Sequence, residues 1–147
     1  GEALLLVAVD GNAVEIELRS PAMNLIGFEH RPATEQQQKK LDAAIAILQD
    51  GDKLFSLPAA AQCTMEKAHV EAPYENHEGH HEHAHAETHS EFSATYRYSC
   101  QKPALLKQLM VKLFQQFPMT EHIEAQSISA RGQQAAELDS NNFILEL

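Results

Sequence analysis

CTMEKAHVEAPYENHEGHHEHAHAETHSEFSATYRYSC, residues 63–100, begins and ends on the only two cysteines of the 147-residue chain. Both flanks of this stretch read as β-strands, over 62–70 and 91–99. The second is the clearer: Phe92, Ala94, Tyr96 and Tyr98 alternate with Ser93, Thr95, Arg97 and Ser99, which is the period of a half-buried strand. If Cys63 and Cys100 stand opposite each other on antiparallel strands, paired residue numbers sum to 163. The hairpin is then centred between His81 and Glu82. Parity agrees, because Cys100 shares a strand face with Tyr98, Tyr96 and Phe92. A bond there would close over the 36 residues 64–99, contributing about 3–4 kcal/mol in the loop-entropy account, less any strain. The alternative is two buried free thiols, since free cysteine is a common core residue.

The middle of the stretch, HEGHHEHAHAETH (77–89), holds His77, His80, His81, His83, His85 and His89, with Glu78, Glu82 and Glu87 between them. Neutral imidazole nitrogen suits zinc and neighbouring transition ions, and carboxylates serve as secondary ligands. The spacing chelates in either regular conformation. A helix lines up His77, His81, His85 and His89; an extended chain points His81, His83 and His85 the same way. From Ala68 to Tyr96 there are six glutamates and no lysine or arginine, so the local field gathers cations. Overlapping ligand sets favour capture and hand-off over a closed structural site.

Other readings of these histidines are weaker. A purification tag is terminal and unbroken, whereas this run is internal and mixed with glutamate. His77-Glu78-Gly79-His80-His81 matches H-E-x-x-H, but that metalloprotease motif needs a stable helix, and Gly79 weakens one. A pH switch follows from any histidine cluster without being its purpose. A solvated low-complexity loop with incidental metal affinity is the plainest possibility. His30, His69 and His122 lie outside the run. A lone histidine is usually a satisfied surface or core residue, yet each of these could cap a more ordered metal site on the folded body.

Around this centre the chain reads as α+β. Ala3–Val9 and the alternating Val14, Ile16 and Leu18 form a hairpin across Asp10-Gly11-Asn12. A loop follows over 21–32. Thr34 and Gln37 make a capping box for a helix over 35–49, with Leu41, Ala44, Ile45 and Leu48 as its apolar stripe and Gly51 as a C-terminal cap. A second helix is expected from Pro103 to Phe117, on the stripe Leu105, Leu106, Leu109, Met110, Leu113, Phe114 and Phe117, stopped by Pro118. Strands are expected over 121–129, 133–138 and 143–146. The order predicts two pseudo-symmetric halves, ββαβ and βαββ, joined by a histidine-rich hairpin loop. The divisions are 1–72, 73–90 and 91–147 within one compact unit.

The hydrophobic fraction of 44% supports a packed core, and the net charge of −10 argues against nucleic acid and anionic membranes while suiting a cation partner. No apolar run reaches membrane-spanning length. The chain opens on a strand with no leader, which fits either a cytoplasmic protein or a mature form whose leader has been removed.

VDGNAVEIELRSPAMNLIGFEHRP resembles the opening of the ZrgA-type periplasmic zinc-binding proteins of Gram-negative bacteria. Their S-P-A-x-N-x-x-G-F-E-H stretch stands here as Ser20, Pro21, Ala22, Asn24, Gly27, Phe28, Glu29 and His30. An F-x-L-P step (Phe55, Leu57, Pro58), a cysteine and a histidine-rich insert follow. After them come Tyr96, Tyr98, Cys100 and Pro103, then Phe114, Phe117 and Pro118, then Gly132, Gln133 and Gln134. The resemblance spans essentially the whole chain. It implies a periplasmic zinc-binding protein that supports uptake by an inner-membrane zinc transport system; the reading adopted is a monomer that performs no chemistry. It also implies an oxidising compartment in which Cys63 and Cys100 pair. The choice of zinc rests on the resemblance, because imidazole sites also take nickel, cobalt and copper. A metal-buffering or sensing adaptor and a zinc hydrolase built on Glu78 are the rival functions.

Overall fold

The computed structural model describes residues 1–75 and 90–147. Strands β1 (Glu2–Asp10) and β2 (Ala13–Pro21) pair antiparallel from Leu4↔Arg19 to Asp10↔Ala13. Their tight turn uses Gly11 at φ 61°, a conformation that costs glycine nothing. Val14, Ile16, Leu18 and Ser20 are buried on one face of β2, as the alternation predicts.

The loop expected after β2 contains a short helix, α1 (Ala22–Ile26), which buries Ala22, Asn24 and Ile26 and ends at Gly27 with φ 85°. Helix α2 (Glu35–Gln49) lies where the periodicity places it. Thr34 Oγ1 accepts from the Gln37 amide at 3.1 Å, and Gln37 Oε1 accepts from the Ala33 amide at 2.7 Å. Leu41, Ala44 and Leu48 form its buried face. The cap itself is Asp50. Gly51 instead begins a 3-10 turn, and its place is set by crowding. A Cβ there would lie 2.9 Å from Tyr96 Cδ1, 3.0 Å from the Tyr98 hydroxyl and 3.1 Å from Met65 Sδ.

After the short β3 (Phe55–Ser56) come β4 (Cys63–Glu71) and, beyond residues 76–89, β5 (Glu91–Cys100). The second long helix expected over 103–117 is not formed. Pro103–Leu105 make a 3-10 turn, Gln108–Val111 are strand β6, and only Leu113–Gln116 are helical, as α3. The βαββ order of the second half therefore falls away. The apolar residues explain why. Leu109, Val111 and Leu113 are all buried, and their period is two, which a helix stripe through Leu109 and Leu113 would break at Val111. β6 also finds ladder partners on both sides, β3 and β9 (Ile144–Glu146). Tertiary pairing overrides the local helical pattern. Strands β7 (His122–Ser129) and β8 (Gly132–Leu138), which precede β9, lie near their expected limits.

Among the described residues two sheets result, a six-stranded one in the order β4-β5-β2-β1-β7-β8 and a three-stranded one in the order β3-β6-β9. β5 pairs with β2, and β7 pairs parallel to β1, so strands from both sides of residues 76–89 lie in one sheet. Helix α2 contacts β4, and β9 contacts β7 and β8. They cover the inner face of the large sheet. Leu5, Ile16, Phe92, Ile123 and Leu138 from that face join Leu41, Leu48 and Leu109 in one apolar core. Tyr96 donates its hydroxyl to the Leu48 carbonyl, and Tyr98 donates to Asp52 Oδ1 at 3.1 Å. The two tyrosines fasten the end of α2 to the sheet.

Candidate metal centre

His77, His80, His81, His83, His85 and His89, with Glu78, Glu82 and Glu87, lie outside the described residues, as does the expected centre of the hairpin. What the structure describes is the frame on either side. β4 and β5 pair antiparallel, starting from Cys63 opposite Cys100. The two are bonded, with S–S 2.03 Å and Cα–Cα 3.9 Å. The Gln101 amide donates to Gln62 and the Cys100 amide donates across to Asn12. Cys63 and Cys100 are thus a non-hydrogen-bonded pair, the kind in which facing side chains come closest.

The register expected from the cysteines holds from Cys63 to Met65 and then shifts. Met65 faces Tyr98 and Lys67 faces Arg97, so Glu66 is an extra residue. This bulge corrects the uniform sum of 163. It also inverts the second half of β4: Ala68 and Val70 turn inward, opposite Tyr96 and Ala94, and Lys67, His69 and Glu71 turn outward.

At the far end of the ladder, Ser90 ties the frame to the body. The Tyr74 hydroxyl donates to Ser90 Oγ, which donates to the Glu29 carbonyl at 3.4 Å. The Ser90 carbonyl accepts from the Ala22 amide at 2.6 Å. Glu29 precedes His30, so this anchor sets His30 beside the frame of the histidine stretch. His30 Nδ1 lies 2.7 Å from the Arg31 carbonyl and must donate to it. In the neutral ring that leaves the lone pair on Nε2, the atom a metal would use. The Phe28 ring packs against the imidazole at 5.0 Å between centroids. Sequence reasoning missed Tyr74 and Ser90, since neither carries a metal-binding signal.

The other two body histidines lie elsewhere. His69 is exposed on the outer face of β4, with Nε2 3.3 Å from Glu71 Oε2. His122 opens β7, in register with Glu2. β4 and β7 are separated by three intervening strands, about 19 Å at the usual strand spacing, so His69 and His122 cannot share an ion. Among the described residues no three histidine, cysteine or carboxylate side chains converge on a metal position.

A family model described as ZrgA family zinc uptake protein matches residues 1–147. The chain belongs to the ZrgA family of zinc uptake proteins. A search of curated proteins returns no match. Membership of this family gives the chain a role in zinc uptake, and the Cys63–Cys100 bond suits an oxidising compartment. Among the described residues no helix is long and apolar enough to cross a membrane.

Proposed function

We propose that the chain captures zinc in the periplasm through His77, His80, His81, His83, His85 and His89 and passes it to an inner-membrane zinc transport system. One observation carries this reading. Six histidines and three glutamates fill the connection between two strands whose opposite end is closed by Cys63–Cys100, in a chain of a zinc uptake family. Capture without a closed cage favours release, because many equivalent imidazoles exchange one ion readily. Glu78, Glu82 and Glu87 contribute attraction and secondary coordination. His30, held beside the frame by the Ser90–Glu29 contact, adds a body-side ligand through Nε2. The protein works as a monomer and transforms no substrate: zinc is its cargo, and nickel, cobalt or copper would occupy the same imidazoles in vitro.

The test is zinc calorimetry on the native chain and on a variant with the six histidines of 77–89 replaced by glutamine. Loss of tight binding in the variant supports the reading. Retention of the native affinity moves the capture site to the body and overturns it. Transfer is tested by mixing zinc-loaded protein with the purified transporter; failure to deliver would leave a metal buffer.

A further inference from the structure

The outer face of the six-stranded sheet carries a chelating pair that the histidine stretch does not explain. His69 and Glu71 are two residues apart on an edge strand, so both project to the same side. Their side chains are 59% and 74% exposed, yet Nε2 and Oε2 approach to 3.3 Å. Zinc bonds to imidazole nitrogen and carboxylate oxygen are about 2.0–2.1 Å, and the edge of a tetrahedron with such bonds is about 3.3–3.4 Å. The pair already stands at the bite of a bidentate zinc site.

Among the described residues, the surroundings leave that site open. Opposite His69 is Thr95, and opposite Glu71 is Ser93, small uncharged neighbours that crowd nothing. Among the described residues strand β4 has one ladder partner, β5, and its other side is the sheet edge. His69 faces a concavity of about 1120 Å³, lined also by Glu15, Glu17, Lys67 and Arg97. Arg97 is held by Glu15 and, at 3.4 Å, by Glu66, which offsets its charge. Lys67, on the same face two residues before His69, opposes an incoming cation.

The bulge at Glu66 makes the arrangement. Without it His69 would face inward opposite Ala94, and no solvent ion could reach it.

We infer that His69 and Glu71 form a second zinc site, separate from residues 77–89, with two protein ligands and the remaining positions open to water or a receiving ligand. Two ligands hold zinc more weakly than the histidine stretch can. Such a site fills after the stretch and exchanges quickly.

The experiment uses the full chain with the six histidines of 77–89 replaced by glutamine, titrated with zinc while the His69 ring is followed by NMR and heat by calorimetry. The His69 ring resonances should move with saturation. His69→Asn and Glu71→Gln should each weaken this binding about tenfold or more, about 1.4 kcal/mol. Lys67→Gln should tighten it. All three side chains are exposed, so an unchanged amide spectrum elsewhere verifies the fold. The inference is overturned if zinc leaves the His69 ring unmoved, if neither ligand substitution changes the affinity, or if the variant binds no zinc. None of these outcomes touches the capture reading, which is judged by the native chain against the same variant.

Discussion

Lys67 stands opposite Arg97 across the β4–β5 ladder, two like charges in facing positions. The cost of that pairing is relieved by carboxylates on either side, Glu66 at 3.4 Å and Glu15. The pairing exists because Glu66 bulges, and the bulge exists because Ala68 and Val70 gain by turning inward. Deleting Glu66 takes out the extra residue and leaves Lys67 opposite Arg97 and Ala68 opposite Tyr96, so the same side chains stay inward. The deletion loses the exposed Glu66–Arg97 ion pair, so stability in urea denaturation should change by no more than about 1 kcal/mol. A loss beyond about 3 kcal/mol would show that the bulge itself holds the ladder together.

Reduction of Cys63–Cys100 releases the loop over residues 64–99. In the loop-entropy account the bond contributes about 3–4 kcal/mol. The Cys63→Ala, Cys100→Ala double variant should lose a similar amount in equilibrium unfolding, and excess thiol should no longer affect it. Equal stability of oxidised and reduced native protein would refute the prediction.

Gly51→Ala should destabilise by about 1–3 kcal/mol, the usual cost of overpacking. The added methyl meets Tyr96, Tyr98 and Met65 at 2.9–3.1 Å, and the tyrosines cannot give way without losing their hydrogen bonds to Leu48 and Asp52. Thermal unfolding of the variant decides it. An unchanged midpoint would mean that the turn at 51–53 shifts without cost.

Burial pushes the Tyr96 hydroxyl above the ordinary tyrosine range, and burial with the nearby Asp52 carboxylate does the same for Tyr98. Each acid is raised in the folded state, so the folded chain holds protons that the unfolded chain has released. The resulting stability is complete below the unfolded value of about 10 and is lost as pH rises past it toward the folded values. Alkaline titration should show tyrosinate absorbance from these two residues only together with unfolding. Reversible ionisation with the fold intact would contradict it.

Zinc affinity should fall steeply below about pH 6, because each imidazole must shed a proton before it can bind. Competition titrations at about pH 7.5 and about pH 5 check this. Equal affinities would place the metal on carboxylates instead of histidines.

The hairpin β1–β2, the capped helix α2, strand β5 and the pairing of the two cysteines were legible because each rests on local signals: a glycine turn, a capping box, a clean alternation, matched parity. Even the bulge left a trace, since inward-facing apolar residues run Met65 and then Ala68, Val70 and Ala72, a change of parity that one extra residue explains. The segment 103–117 misled for the opposite reason. Its apolar residues are dense enough to satisfy two periods at once, and only the ladder partners β3 and β9 select the strand.

By itself, the sequence determined the chemistry: six closely spaced imidazoles in an acidic field, two cysteines able to face each other, and a family pattern along the whole chain. The tertiary structure alone decided where the remaining histidines stand. It set His30 beside the frame through Ser90 and Glu29, sent His122 across the sheet, and brought His69 to Glu71 on the outer face. The reason is that a ligand's identity is written in one residue, whereas its direction depends on register, and register is settled by which side chains the core can bury.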